Sequence, residues 1–352
     1  MKTFIKDRQH EVLKEQPLLD SKGCVGEPGY ARRLVWKYDR NKIQASRLRI
    51  KEWDYYLVYN DHFGVAFTLA DLGYAGMLSA SWLDFDKEEE QTQTTLTAFP
   101  MGRFHLGSHS DRSQAEVQNG RAHIKYSVMD GRRRIQCKFR RFSGEDTLSA
   151  EIWLKQDPAL ESMCIATPWK EDPKAFYYNQ KINCMPASGI VRLGSKEYRF
   201  SSSTAMGVLD WGRGVWTYDN TWYWGTGSGW IGGKPFGMNI GYGFSDRSSA
   251  TENALIYDGK LHKLEEVDMH IPKGPDNASL YMENWEITSS DGRLEGIFRP
   301  ILDRKARMDL KLIVTDQHQV FGRLTGEAVL DDGTTLELRD FLCAIEVVHN
   351  RY

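Results

Sequence analysis

A chain of 352 residues is too long for one ordinary hydrophobic core, so its default organisation is two domains of roughly 150 residues each, with one long barrel as the alternative. Its 46 Lys and Arg against 48 Asp and Glu leave a formal net charge of −2, scattered along the chain. That gives no electrostatic basis for a nucleic acid or an anionic membrane as partner. Five cysteines, odd in number and without a C-x-x-C pair, suggest neither a disulfide framework nor a zinc site, and fit a reducing cytoplasm.

The N-terminal run MKTFIKDRQHEVLKE is charged throughout and lacks the apolar core of a secretory signal. No stretch approaches the ~18 uninterrupted apolar residues of a membrane span. Residues 7–16 read as a helical piece within an N-terminal arm, residues 1–39. A first β domain is expected over 40–195. His105 and His109 have a spacing that ligates metal on a helical face, but Leu106-Gly107-Ser108 between them reads as loop, so no metal is expected. From there the periodicity is that of strands. Ala122, Ile124, Tyr126 and Val128 alternate with polar residues, Asp130-Gly131 supplies a hairpin turn, and Ile135, Cys137 and Phe139 alternate again. The arginines of this hairpin, Arg132, Arg133, Arg134, Arg140 and Arg141, read as a solvated face, with an anion site as the alternative. Leu148, Ala150, Ile152 and Leu154 repeat the pattern, followed by a short helical piece near Leu160. The Pro, Gly and Ser-rich run from Pro186 to Ser203 reads as the domain boundary.

A second β domain is expected over 196–352. It opens on DWGRGVWTYDNTWYWGTGSGW, Asp210 to Trp230, a run rich in tryptophan. With Asp219-Asn220 as a two-residue turn, Trp216 would face Tyr223 on one side of the ribbon while Trp222 and Trp224 project from the other. Both faces are then aromatic and need covering, one by a barrel interior and the other by the partner domain or a ligand. Gly225, Gly227 and Gly229 would allow bending or close approach of another backbone. Asp210 and Arg213, beside Trp211, read as a structural ion pair at the junction. The glycine run is no phosphate cradle, since no helix signal follows GTGSG and Pro235 stands where a P-loop needs Ser or Thr. Further on, polar residues sit in apolar strand territory: Glu252 and Asn253, His318 and Gln319, Glu346 and His349. A carboxylate and an imidazole in an aromatic cavity would have shifted pKa values and could exchange protons with a substrate; the alternative is that each faces outward or is satisfied internally. Met308, Leu310, Leu312 and Val314 alternate like a strand, and Asp-Gly pairs at 258–259, 291–292 and 332–333 mark the turns of an antiparallel meander.

An internal repeat links the halves. Trp53, Leu72-Gly73-Tyr74 and Leu83-x-Phe85-Asp86 recur in order and at similar spacing as Trp222, Ile240-Gly241-Tyr242 and Leu255-x-Tyr257-Asp258. Two copies of one β architecture favour barrels or curved sandwiches, which dispose of exposed sheet edges.

The strings DWGRGVW, SATENALIYDGKLHKL, HQVFG and EVVHNRY together resemble an uncharacterised, mainly bacterial family, domain of unknown function 2804, over most of the chain. More remotely, the layout is similar to the two-domain lipocalin-like superfamily of carotenoid hydratases and some fungal cyclisation enzymes, and Gly214-Val215-Trp216 matches the short G-x-W of lipocalins. The resemblance implies an all-β fold of two consecutive lipocalin-like antiparallel barrel or sandwich domains with few short helices, and a pocket for an extended apolar molecule. It carries over no catalytic residues. The expected function is binding of a hydrophobic or amphipathic small molecule in an aromatic-lined cavity by Trp216, Trp222, Tyr223, Trp224 and Asn253. His318, Glu252 and Glu346 would move protons in a cofactor-independent hydration, isomerisation or cyclisation. A non-catalytic carrier, or a structural or protein-binding module without ligand, are the other readings.

Overall fold

The structure, a computed structural model, describes residues 9–112, 114–309 and 314–351. An irregular arm comes first, with β1 (Gln16–Pro17), β2 (Gly29–Ala31), β3 (Trp36–Lys37) and one 3-10 turn, Arg40–Lys42, capped by the Asp39 side chain. That turn is the only helical piece among the described residues. Of the expected helical piece, residues 7 and 8 lie outside the described residues and 9–16 are extended, because their backbone groups bond to segments elsewhere in the chain: the N–H of His10 donates to Ser249 O at 2.8 Å, that of Val12 to Tyr30 O at 2.8 Å, and that of Gln16 to Val35 O at 2.9 Å. Near Leu160 the chain makes a single turn, Leu160 N–H to Asp157 O at 3.0 Å, and continues extended.

Twelve strands follow in the first half: β4 (Ile50–Tyr59), β5 (Phe63–Asp71), β6 (Ala75–Asp84), β7 (Glu89–Ala98), β8 (Gln114–Gln118), β9 (Ala122–Met129), β10 (Arg132–Ser143), β11 (Asp146–Lys155), β12 (Met163–Pro168), β13 (Phe176–Leu193), β14 (Lys196–Phe200) and β15 (Met206–Val215). The second half holds β16 (Asp219–Ile231), β17 (Lys234–Tyr242), β18 (Ala254–Tyr257), β19 (Lys260–Lys263), β20 (Val267–His270), β21 (Trp285–Ser289), β22 (Leu294–Asp309), β23 (Val314–Val329) and β24 (Thr335–Arg351). The main path of the first sheet runs β7-β6-β5-β4-β15-β13-β11-β10-β9-β8, and that of the second β19-β18-β17-β16-β24-β23-β22-β21-β20. Each curls into a half-barrel. Each is also the same design: a meander of four strands, then a return in which the last strand pairs with the first, β15 with β4 and β24 with β16. One repeat anchor falls in matching places, Trp53 being the fourth residue of β4 and Trp222 the fourth of β16.

The sheets change over between Val215 and Asp219, about twenty residues beyond the expected boundary. The stretch from Pro186 to Ser203 is not a linker. It bends β13, whose N-terminal half pairs with β12 and β15 and whose C-terminal half pairs with β11 and β14. Gly189 sits at the bend with φ +150, and a Cβ there would lie 2.3 Å from Glu151 O.

Alternation gives the inward faces directly. Ile124 and Tyr126 on β9, Ile135, Cys137 and Phe139 on β10, and Leu148, Ile152 and Leu154 on β11 all point into the first core. Asp130 and Gly131 both have positive φ, as a two-residue hairpin turn requires, and so do Asp258 and Gly259. Arg133 shares the inward parity of β10 and is only 1% exposed, bonded to Gln156, to Ser110 O and to Tyr56 Oη; it is not part of a solvated face. Of the alternation at Met308–Val314, Leu310 and Leu312 lie outside the described residues. No helix among the described residues is long and apolar enough to cross a membrane.

A third apolar cluster lies between the sheets. It joins Tyr55, Leu57 and Tyr59 of β4 and Val208 of β15 to Trp224 of β16, Phe321 of β23 and Leu342 and Ala344 of β24. The halves therefore pack outer face against outer face, and β4 is buried on both sides.

Candidate functional site

The inter-sheet seam holds aromatic rings and buried charges together. Trp222 and Trp224, two apart on β16, share the face turned to the first sheet. Trp224 is 5% exposed: its Nε1 donates to Asn239 Oδ1 at 2.8 Å, Tyr55 meets it edge-on at 6.0 Å, and Lys181 Nζ stands 4.3 Å above its ring. Lys181 in turn pairs with Asp210 at 2.8 Å, and Asp210 accepts from Asn179 Nδ2 at 2.7 Å. On one side of this pair is Glu252, whose Oε2 accepts from Tyr177 Oη at 3.0 Å while Oε1 has no hydrogen-bond partner. Gly241 makes room for that oxygen, since a Cβ there would stand 2.0 Å from it. On the other side is Glu346, which accepts from Trp222 Nε1 at 3.1 Å, Gln317 Nε2 at 2.8 Å and Gln319 Nε2 at 3.1 Å. Tyr55 Oη donates to Gln319 Oε1 at 3.1 Å and links this carboxyl group back to the first sheet.

Burial pushes both glutamates above the ordinary carboxyl range. Lys181 opposes the shift at Glu252 and Arg304 opposes it at Glu346, while the charge on Asp210 reinforces it at both. At Glu252 the Lys263 ammonium also opposes the shift, so at both glutamates burial outweighs the nearby cations.

Beside these groups stands an aromatic wall centred on Trp216. Its ring lies 5.1 Å from Trp222, 5.3 Å from Trp169, 5.7 Å from Phe244, 5.9 Å from Tyr177 and 6.0 Å from Trp53. Trp53 and Trp222 are half-buried and form its outer edge. Two clefts of about 600 and 630 Å³ open on the first sheet, the former beside Trp82 and Tyr198 and the latter beside Arg121; neither is lined by a seam tryptophan.

Several expected placements differ. Asp219-Asn220 is not a turn: it opens β16, opposite Arg351 and Asn350, and β15 and β16 belong to different sheets. Trp216 therefore packs on Trp222 rather than facing Tyr223, which points into the second barrel and stacks on Tyr242 at 4.6 Å. Asp210 and Arg213 do not pair, because residues three apart on a strand face opposite ways. Arg213 points into the first barrel, where it meets Asp54 at 2.9 Å and the carbonyls of Trp53 and Gly107. Asn253 spends its amide on the backbone, Oδ1 accepting from Gly241 N–H at 2.7 Å and Nδ2 donating to Glu265 O at 2.8 Å. His318 lies next to Gln319 but faces away from the seam: its Nδ1 is 2.7 Å from Asp303 Oδ2 and its ring stacks on Tyr281 at 3.8 Å. The structure thus brings Glu252, Glu346, Trp216, Trp222, Trp224 and Asp210 together and leaves His318, Tyr223 and Arg213 elsewhere. Lys181, Tyr177 and Asn179 were not anticipated; the signal was the odd-numbered polar series in FYYNQKINC, whose even-numbered face is apolar except at Gln180.

Two half-barrels of one strand order, packed through an aromatic seam, define a two-domain lipocalin-like β protein. Its shape is similar to that of a provisionally assigned AttH protein of Nitrosomonas europaea, with 11% identity and a TM-score of 0.53 over 94% of this chain and 98% of that one. The chain belongs to the family described as domain of unknown function (DUF2804), whose model matches residues 9–352. Kievitone hydratase of Nectria haematococca aligns at 10% identity and a TM-score of 0.48, over 85% of this chain and 88% of that one. At such identities the likeness is one of fold alone. No curated protein matches the sequence.

Proposed function

We propose that the seam binds a hydrophobic or amphipathic small molecule against Trp53, Trp216 and Trp222, and that Glu346 exchanges a proton with it in a cofactor-independent hydration, isomerisation or cyclisation. The observation that carries this reading is the placement of Glu346, a buried carboxyl group with a raised pKa directly under the half-buried Trp222. A buried carboxyl group whose pKa is raised holds its proton more firmly than an exposed one and is better suited to protonating a double bond or a carbonyl. Indole faces beside it would stabilise positive charge developing on the substrate. Glu252, closed off behind Tyr177, acts in this reading through the Lys181–Asp210 pair rather than by touching the ligand. His318 takes no part.

The test titrates intrinsic fluorescence with fatty acids and prenyl alcohols of increasing chain length. Saturable quenching is expected, weakened at least tenfold by Trp222→Ala and unaltered by Trp230→Phe. Glu346→Gln should keep the binding and abolish deuterium incorporation from heavy water into the recovered ligand. Quenching that is equally strong in Trp222→Ala would sink the assignment.

A second reading rests on Trp224, whose N–H, ring face and edge are all occupied by Asn239, Lys181 and Tyr55. In it the ribbon is inter-sheet packing and nothing binds, so no compound in the series would give saturable quenching.

A further inference from the structure

We infer that a phosphate group binds at the mouth of the first barrel, in the cleft of about 630 Å³ lined by Gln93, Gly120, Arg121, Arg140, Arg141 and Gly144. The site is distant in the fold from the tryptophan seam and does not depend on how that seam is read. On a regular strand Arg140 and Arg141 would point to opposite faces. Here the register of β10 against β11 breaks between Phe139 and Ser143, and Arg141 has a φ of +52, in the left-handed region that favours glycine. At this bulge both of the consecutive arginines line the same cleft. Holding a bulky residue in that conformation costs free energy, and such strain is characteristic of sites where a side chain must be aimed.

Arg121, just before β9, completes the group. Its Nε donates to Arg140 O at 3.4 Å, and its Nη2 to Gln93 Oε1 at 2.9 Å and to Arg141 O at 3.0 Å, so the guanidinium is fixed before any ligand arrives. Gly120 and Gly144 have open space where a side chain would stand, which keeps the cleft clear. The carboxylate closest to hand is Glu145, 3.4 Å from Arg141 Nε, in a pair whose side chains are 88% and 71% exposed. A pair so exposed is worth little against water and salt. Three arginines thus line one cleft, with one weakly held carboxylate beside them. Planar donor forks of this kind match the oxygens of phosphate, whose higher charge is attracted more strongly by a cluster of cations than that of a carboxylate. The phosphate could belong to a soluble metabolite or to a lipid headgroup, which present the same group to the arginines.

Two arms distinguish these sources. The full chain is titrated calorimetrically with inorganic pyrophosphate at low ionic strength, and in parallel sedimented with phosphatidylcholine vesicles containing phosphatidic acid. Saturable binding is expected in at least one arm: with pyrophosphate if the ligand is soluble, with vesicles alone if it is a headgroup. Binding should fall at least tenfold in Arg140→Ala and in Arg141→Asn, the latter chosen because asparagine tolerates positive φ. It should be unchanged in Arg132→Ala, which removes the same charge from the start of β10. Near-ultraviolet circular dichroism would verify that each variant is folded. Absence of binding in both arms, or equal weakening in Arg132→Ala, would overturn the inference.

Discussion

Replacing Trp224 with phenylalanine isolates what the seam contributes to stability. The change removes the indole N–H and leaves Asn239 Oδ1, on a fully buried residue, without that donor, at a cost of about 1–3 kcal/mol. The void left by the smaller ring adds about 1 kcal/mol, and part of the attraction to Lys181, 4.3 Å above the ring, is lost as well. Together these give about 2–4 kcal/mol. Trp222→Phe loses a comparable hydrogen bond, but its ring is half-buried and Glu346 keeps two amide donors, so about 0.5–1.5 kcal/mol is expected. Urea unfolding followed by far-ultraviolet circular dichroism, with the m-value unchanged, reads both costs. A Trp224→Phe variant as stable as wild type, or a larger cost at Trp222, would refute the account of the seam as a packed, hydrogen-bonded interface.

Other consequences are equally direct. Burial raises the Glu252 pKa above its ordinary value of 4.5, so its folded form holds a proton more tightly than its unfolded form. The contribution of Glu252 to stability is then full below about pH 4.5 and is lost as pH rises through the folded pKa, so Glu252→Gln should gain on wild type between urea midpoints taken at pH 5 and pH 8; a constant difference would contradict this. Arg213→Met should cost about 3–5 kcal/mol by leaving Asp54 buried and uncompensated, and adding Asp54→Asn should recover at least half of it in thermal unfolding. Asn183→Ala removes an amide whose Nδ2 reaches Thr226 Oγ1, Gly227 O and Met238 O across the sheets, and should cost about 2–4 kcal/mol by the same measurement.

The strands were legible wherever one face is buried and the other is wet, because such a face imposes a period of two, as along β9, β10 and β11. The duplication was legible at Trp53 and Trp222, each fourth in its strand, while Leu72-Gly73-Tyr74 falls in the turn after β5 and its counterpart Ile240-Gly241-Tyr242 within β17. The changeover between sheets was not, since the proline, glycine and serine content that marks a linker equally marks a strand bending between two sets of neighbours, as β13 does. In the seam, Trp222, Trp224 and Glu346 stood out as unusual residues in apolar runs. Lys181 did not, because its partners, Asp210 and Trp224, come from strands far along the chain. The facing of His318 depends on register, which one residue of slip reverses. The supposed Asp210–Arg213 pair borrowed a spacing that brings side chains together on helices, whereas a strand separates them.

Each half is fastened by joining its first strand to its last, Ile50 opposite Val215 and Asp219 opposite Arg351. A chain leaving the ribosome N-terminus first can therefore close its first sheet once Val215 has emerged, and so present the ring-studded face of β4 early. The second sheet must wait for Thr335–Arg351, its last strand in chain order, and until then β16 carries its tryptophans on an unpaired edge. Closure over so long a separation is slow by nature, so nascent chains stalled before β24 should be the species that chaperones hold and that aggregate. The final 17-residue strand is thus the latch of the second half, and its arrival ends the interval in which Trp222 and Trp224 are open to the wrong partners.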